Sequence, residues 1–325
     1  MKAVYITEFG GTGNLEVREV PDPPKPVAGE VIVRVHAAGL NRADLLQRRG
    51  AYPPPPGYSP NIPGLEFAGV IAETGHGVQV LRTGDRVFGI TAGEAQAEYL
   101  KIDHRLLAHV PENLTLVEAA AVPEAFITAH DAVFTQAGLK NAETLLVHAV
   151  GSGVGLAGLQ LAKANGHRVI GTSRTEEKLE RCREFGLDEA IAVSGKPDFA
   201  NEIGSGVDVI LDLVGGAYFE QNVQSLATRG RLMLVGLTAG RSAEFNLGIA
   251  LSKRLTLIGT MLRGRTNDEK ADAVRAFARD VVPMLADGRV RPTVDKVFQA
   301  GDVGDAYDYL ESNESFGKVV LEFES

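Results

Sequence analysis

Five consecutive residues, Gly151, Ser152, Gly153, Val154 and Gly155, follow the apolar run TLLVHA and open the helical stretch GLAGLQLAKA. That order of strand, glycine-rich turn and helix is what a bound pyrophosphate requires. Glycines let the backbone come close, and the helix N-terminus offers unpaired N–H groups and the positive end of its dipole. The spacing departs from the strict G-x-G-x-x-G form, because Val150 and Ser152 stand where the first two glycines belong when Gly155 is taken as the last. A tight turn without a ligand is the alternative, and the further strands downstream argue against it. A Gly-Ser-Gly run could also be read as a hydrolase nucleophile elbow, but that turn needs glycines at positions 150 and 154, where this chain has valines.

The choice of dinucleotide falls at the end of the next strand, about 20 residues after the glycines, where NAD enzymes place an acid on the ribose hydroxyls. Here the strand closes with Gly171, Thr172, Ser173 and Arg174, and Lys178 follows one helical turn later. No acid opposes a 2'-phosphate at that point, while the Ser173 hydroxyl and the two cations can bind one, so NADPH is expected rather than NADH. Glu176 and Glu177 keep a merely solvated helix start open as the other reading. The seven histidines, at 36, 76, 104, 109, 130, 148 and 167, show no metal-ligand spacing and read as structural, with His148, beside the glycine turn, as the exception that could act. The one cysteine, Cys182, lies in the charged stretch EEKLERCREFG and reads as an inert surface thiol. A single cysteine excludes an internal disulfide and a multi-thiolate zinc centre, and no metal is expected.

These residues need two kinds of scaffold. Residues 1–122 carry short alternating segments (AVYITEF, LEVREV, EVIVRVHAAGL, EFAGVIAETG, DRVFGI, AEYLKID and LLAHVP) broken by Gly, Pro and Asp, the pattern of a β-rich, partly open barrel. Within them GAYPPPPGYSPNIPG is too rich in proline for helix or central strand and is expected as a stiff surface loop. Residues 123–262 alternate near-continuous apolar strands (TLLVHA, RVIGTS, AIAV, VDVILDLV, RLMLVGL, LTLIGT) with helical stretches, the signature of an α/β fold with a doubly wound parallel sheet. Residues 263–325 add an amphipathic helix through Val274, Phe277, Val281 and Leu285, then the strands KVFQA and KVVLEF, and are expected to rejoin the first domain. A composition of 44% hydrophobic and 23% charged residues is that of a globular protein. The chain has no run of about 18 apolar residues to span a membrane. Its start lacks the order of a secretion signal, which makes the cytosol the expected compartment. A formal net charge of −9 argues against nucleic acid as a partner.

Taken together, AAGLNRADLLQRRGAYPPPPG, PGLEFAGVI, GDRVFGI, AAAVPEAFITAHDAV, HAVGSGVG, ILDLVGGAYFEQNV and the closing GKVVLE resemble the zinc-free, ζ-crystallin-like quinone oxidoreductases of the medium-chain dehydrogenase/reductase superfamily. NRADLLQRRGAY with a serine in the cofactor loop is most similar to the tumour-suppressor-inducible branch. The resemblance implies a GroES-like substrate domain, a Rossmann domain and a cleft where nicotinamide meets substrate. Zinc members carry a cysteine and a histidine ligand where this chain has Asn41 and Leu65. Carbonyl polarisation would then come from hydrogen bonds, and a good hydride acceptor such as a quinone or conjugated carbonyl would be required. The resemblance further implies that Asn41, Asp44 and Tyr52 line the substrate site, Tyr52 as hydrogen-bond donor and stacking surface, unless Asn41 and Asp44 only cap the helix RADLLQRRG. It carries Thr128, Ser152, Gly153, Val154, Ser173, Lys178, Leu237 and Lys318 onto positions that touch the dinucleotide, and Val193 onto one where some relatives have a tyrosine. Arg263 and Arg265 either border the site or lie in a solvated turn. Quinone reduction by hydride or single-electron transfer is the implied activity; an enoyl or conjugated-carbonyl reductase and a low-turnover NADPH-binding scaffold or sensor are the alternatives. LTLIGTML is the expected edge strand of a homodimer.

Overall fold

The computed structural model describes residues 1–204 and 206–323. Strands β1 (Lys2–Ile6), β2 (Leu15–Glu19) and β3 (Glu30–Gly39) lead into helix α1 (Arg42–Arg48). Then come β4 (Glu66–Thr74), β5 (Arg86–Ile90), β6 (Tyr99–Asp103), β7 (Leu107–His109) and the helices α2 (Leu116–Ala119) and α3 (Pro123–His130). The central stretch runs β8 (Thr144–Val147), α4 (Gly153–Ala164), β9 (Arg168–Ser173), α5 (Glu176–Arg183), β10 (Glu189–Ala192) and α6 (Phe199–Ile203). It continues with β11 (Val207–Asp212), α7 (Phe219–Ser225), β12 (Leu226–Leu234), α8 (Leu247–Lys253) and β13 (Thr256–Gly259). The chain closes with α9 (Asn267–Asp280), α10 (Val282–Ala286), β14 (Val294–Gln299), α11 (Val303–Ser312) and β15 (Lys318–Glu322). Backbone proximity divides the chain into one compact unit of residues 1–127, 262–286 and 292 onward, and a second of residues 128–261 and 287–291.

In the first unit, each of the seven alternating segments of the N-terminal region contains a strand. The main sheet has the order β14-β15-β3-β4-β5-β7, with β6 also paired to β3. β14 and β15 join this sheet: Val320, Leu321 and Glu322 pair antiparallel with Gly39, Ala38 and Ala37. The inward residues Val31, Val33, Val35, Phe67, Val87, Leu100 and Ile102 make one core with Val319, Leu321 and Tyr307. Alternate residues of a strand face one side, so a half-apolar pattern is enough to specify this packing. The proline-rich residues 50–64 carry neither helix nor strand.

The second unit is a six-stranded, wholly parallel sheet of order β10-β9-β8-β11-β12-β13, the doubly wound order in which the chain reverses direction between its first and fourth strands. Each of its six strands overlaps one of the six apolar runs read from the sequence; β10 begins one residue ahead of its run, at Glu189, and β12 begins well ahead of its run, at Leu226. Leu145, Leu146 and Val147 of β8 and Val209, Ile210 and Leu211 of β11 are all buried, which is why these strands read as continuous rather than alternating. Cys182 corrects the expectation of a surface thiol: it is fully buried on the inner face of α5, and burial pushes its pKa up to about 12. The thiol is inert because it is covered, not because it is solvated. Among the described residues no helix is long and apolar enough to cross a membrane.

The proline-rich loop returns to β4 through Gly64, whose φ of +110° lies in the region that favours glycine. A Cβ there would lie 2.6 Å from the Gln96 backbone nitrogen. The Gly64→Ala substitution should therefore cost about 2–4 kcal/mol, from backbone strain and steric conflict together. Thermal and urea unfolding should show it as a lowered midpoint, and a midpoint matching that of the parent chain would contradict it.

Candidate functional site

The first unit gathers a buried polar cluster at the end of β3. Asn41 precedes α1, and its backbone N–H donates to Asp44 Oδ2 at 2.8 Å, while Asp44 Oδ1 accepts from Gly64 N at 3.1 Å. The Asp44 carboxylate thus holds the start of α1 against the return of the proline-rich loop, and both of its oxygens are occupied. Burial raises its pKa to about 6 against the opposing pull of these hydrogen bonds and of Arg263 and Lys318. The Asn41 amide points elsewhere: Nδ2 donates to Glu66 Oε1 at 2.9 Å, and Oδ1 accepts from Lys318 Nζ at 2.7 Å. Lys318 Nζ also donates to Leu40 O at 2.6 Å and pairs with Glu66 Oε1 at 2.5 Å. Lys318, expected among the dinucleotide contacts, is 5% exposed, with three acceptors of the first unit around its ammonium.

Tyr52 is half-buried in the proline-rich loop and is held there by Arg263. The Arg263 guanidinium lies 4.8 Å from the Tyr52 ring centroid and donates to Tyr52 O at 2.9 Å, to Ala92 O at 2.8 Å and to Gln47 Oε1. Arg263 is 4% exposed, which overturns the solvated-turn reading for this residue. Burial raises the Tyr52 pKa, so its phenol stays protonated at neutral pH and can donate a hydrogen bond.

In the second unit the glycine turn stands between β8 and α4, at the reversal point of the sheet. Ala149 has a positive φ of 48°, and its carbonyl accepts from Ser152 N at 2.9 Å, which folds the turn back on itself. Ser152 caps α4, its hydroxyl accepting from Gly155 N at 3.2 Å. A Cβ on Gly155 would come within 2.5 Å of Ala149 O, so only glycine lets helix and turn approach this closely. The Gly153 and Val154 N–H groups have no acceptor among the described residues, as the first turn of a helix leaves them. Ser173 ends β9 nearly buried, Arg174 is exposed beside it and Lys178 is half-buried on α5. Leu237, after β12, is half-exposed, as is Thr128 on α3. Val193 belongs to the core of this unit.

His148 does not reach solvent. Its Nε2 lies 2.6 Å from Asn222 Oδ1, and its Nδ1 lies 2.8 Å from Thr172 Oγ1. Asn222 Nδ2 donates to Asp212 Oδ2 at 2.9 Å, while Asp212 Oδ1 accepts from Val214 N and Gly215 N. The Asn222 oxygen must therefore accept, which puts the imidazole proton on Nε2 and leaves Nδ1 to accept from Thr172. Burial lowers the His148 pKa, and the rings of Phe199 and Tyr218, each 4.9 Å away, enclose it. This network joins the carboxyl ends of β8, β9 and β11 to α7 just beneath the glycine turn.

Sequence reading alone passed over Glu66, Glu124, Gln47 and Lys270. Glu66 follows the position where zinc members carry histidine, and Glu124 follows Pro123 at a helix start, where an acid is ordinarily explained by the dipole. Neither has a local signal that distinguishes a buried carboxyl from a solvated one.

Comparison with known proteins agrees with this architecture. A family model described as alcohol dehydrogenase GroES-like domain matches residues 27–130, and one described as zinc-binding dehydrogenase matches residues 153–279. The chain is 33% identical to quinone oxidoreductase-like protein 2 of Bos taurus over 92% of its own length and 86% of the relative's. Its fold superposes on Escherichia coli quinone oxidoreductase complexed with NADPH with a TM-score of 0.87 at 28% identity, covering 99% of this chain and 100% of the other. The JamJ enoyl reductase in its apo form matches with a TM-score of 0.87 at 26% identity, over 99% of both chains. A GroES-like domain joined to a Rossmann domain with this turn at its sheet reversal defines an oxidoreductase of the medium-chain dehydrogenase/reductase class. Within that superfamily the chain belongs to the quinone oxidoreductase and quinone oxidoreductase-like family. Despite the wording of the second family model, no group of three or more His, Cys, Asp or Glu among the described residues could hold a metal ion.

The His148 network gives a pH dependence whose sign follows from its neutral state. An unfolded histidine titrates near about pH 6.5, whereas the folded imidazole resists protonation. Its contribution to stability is therefore complete above about pH 6.5 and is lost as the pH falls below it, because the unfolded chain then binds the extra proton. His148→Leu should abolish this part of the pH slope. It should also cost about 2–4 kcal/mol at neutral pH by stranding Asn222 Oδ1 and the Thr172 hydroxyl. Unfolding measured at about pH 7.5 and about pH 5.5 checks both, and an unchanged slope in the variant would sink the assignment.

Proposed function

We propose that this chain is an NADPH-dependent, metal-independent reductase of quinones or closely related conjugated carbonyls. The observation that carries the reading is the start of α4, where the Gly153 and Val154 N–H groups have no acceptor among the described residues and Gly155 leaves no room for a side chain. Two unclaimed donors at the N-terminus of a 12-residue helix suit an anionic diphosphate. At the end of β9 no carboxylate stands, and the exposed Arg174 guanidinium makes no hydrogen bond among the described residues. That favours a phosphorylated adenosine ribose, bound by Arg174 with Ser173 and Lys178. Gly151 to Gly155 would hold the diphosphate, with Thr128 and Leu237 contributing to the nicotinamide half. Bound NADPH supplies a hydride.

On the substrate side, the protonated Tyr52 phenol donates to the oxygen that becomes negative, and its ring offers a flat substrate a stacking surface. Asn41, clamped by Lys318 and Glu66, is the second polar group; Asp44 positions the loop and has no oxygen to spare. Without a Lewis acid the acceptor must be intrinsically reactive, which favours quinones over simple ketones. An enoyl reductase is the second reading, favoured by the fold match to the JamJ enzyme.

A second copy of the chain is the proposed partner. Strand β13 ends the parallel sheet with Leu257 and Met261 exposed, and Leu247 and Leu251 on neighbouring α8 are 72% and 81% exposed. An open apolar edge of this kind favours sheet continuation across a dimer. Sedimentation equilibrium should give a dimer, and Leu257→Lys should give a monomer. A monomeric parent chain would refute the pairing.

Arg174→Ala should weaken NADPH binding about 10-fold, roughly 1.4 kcal/mol, while leaving NADH binding within about twofold. Calorimetry decides this, and equal losses for both nucleotides would remove the 2'-phosphate assignment. Stopped-flow oxidation of NADPH with naphthoquinone, phenanthrenequinone and an enoyl thioester, each with and without a chelator, tests the activity. Chelator-resistant quinone turnover is expected. Faster turnover of the thioester would favour the second reading, and binding without turnover would mark a scaffold or sensor.

A further inference from the structure

Reduction of a quinone consumes a proton as well as a hydride, and the buried polar cluster of the first unit holds one carboxyl group left without a partner among the described residues. Glu124 is the second residue of α3, and its backbone N–H donates to Glu66 Oε2 at 2.8 Å, which keeps the two acids together. Glu66 is fully buried and committed to Lys318 and Asn41; Asp44 is fully buried and committed to two backbone N–H groups. The Glu124 carboxyl, by contrast, has neither a hydrogen-bond nor an ion-pair partner among the described residues. It also keeps part of its surface open between the buried Pro123 and Ala125.

The charges facing it come from every element packed around it: Glu66 on β4, Asp44 on α1, Lys318 on β15, Arg263 after β13, Lys270 on α9, and the ionisable Tyr52 on the proline-rich loop. Lys318 is paired with Glu66, and Arg263 is saturated by Gln47, Tyr52 O and Ala92 O. Lys270 is 3% exposed, and its ammonium has no partner among the described residues. Burial and the Glu66 charge push Glu124 up to about 8, so it holds its proton at neutral pH.

We infer that Glu124 supplies the proton for the reduction and that Lys270 is the cation that stabilises the carboxylate left behind. The assignment rests on the reductase reading above. The O–H bond of Glu124 breaks, and an O–H bond forms on the substrate oxygen made anionic by hydride arrival, with both electrons coming from the reduced nicotinamide. Glu124 then recovers a proton from water through its open side. Acid delivery is expected to hold below about pH 8 and to fall away as the pH rises through that value, because only the protonated form can donate.

The test combines infrared difference titration of the full chain without nucleotide and the pH profile of quinone reduction. A protonated-carboxyl band that disappears near about pH 8 is expected in the parent chain and absent from Glu124→Gln. That variant should bind NADPH as the parent does, lose at least about 10-fold in turnover at neutral pH, and lack the alkaline limb. Lys270→Met keeps the acid and removes the cation, so band and limb should both move to higher pH. A parent chain that binds NADPH but shows no such band, or an alkaline limb that survives in Glu124→Gln, overturns the inference and leaves the reductase reading standing. A parent chain that binds no NADPH overturns both.

Discussion

The ammonium of Lys318 lies between Leu40 O, Asn41 Oδ1 and Glu66 Oε1, and the geometry of the first unit depends on it. Lys318 opens the last strand, Leu40 and Asn41 follow β3, and Glu66 opens β4. One buried cation thus ties three segments far apart in sequence at a single point. Burying an ion pair costs desolvation that its Coulomb attraction only partly returns, so its value here is positional rather than stabilising. Close packing reinforces the position: a Cβ on Gly39 would lie 2.5 Å from Glu66 Oε1, so only a glycine there leaves the carboxylate its room.

A neutral analogue serves the second unit. Thr172, His148, Asn222 and Asp212 form an unbroken chain of hydrogen bonds across three strand ends, with no net charge moved out of solvent except on Asp212. Asp212 is satisfied by two backbone N–H groups in addition to Asn222. Such a fully paired network fixes the strand ends from which the glycine turn springs, whereas a half-paired one would cost more than an apolar core. The two polar clusters solve one problem in two ways. One spends an ion pair to hold a side chain, the other spends neutral hydrogen bonds to hold a backbone turn.

Most of the fold was legible because it depends on periodicity. The alternating runs before residue 122 mark strands of the first unit, and each of the six apolar runs after it overlaps one of the six parallel strands. Local backbone was equally legible at Gly151 to Gly155, where the strand, glycine turn and capped helix follow one another in the order read from the sequence. Residues whose role depends on distant partners were not. Lys318 is expected only as a dinucleotide contact, and its three acceptors come into view once β15 is seen beside β3, while Cys182 reads as exposed because its neighbours are charged although its own face of α5 is covered. The π-turn Asp131–Gln136 that extends α3 likewise has no signature in the sequence.

The distribution of charge in the first unit explains why a carboxyl remains protonated there. Three acids and three cations share the cluster, yet they are not paired one to one: Lys318 goes to Glu66, Arg263 goes to carbonyls and an amide, and Asp44 is satisfied by backbone donors. What remains are Glu124 and Lys270, a carboxyl and an ammonium that burial drives toward their neutral forms. In water each would be ionised and inert at neutral pH; in this cluster both are drawn toward the range in which a proton can be given up and taken back. The proton's mobility is thus a consequence of where the other charges are already committed, Lys318 to Glu66 first among them.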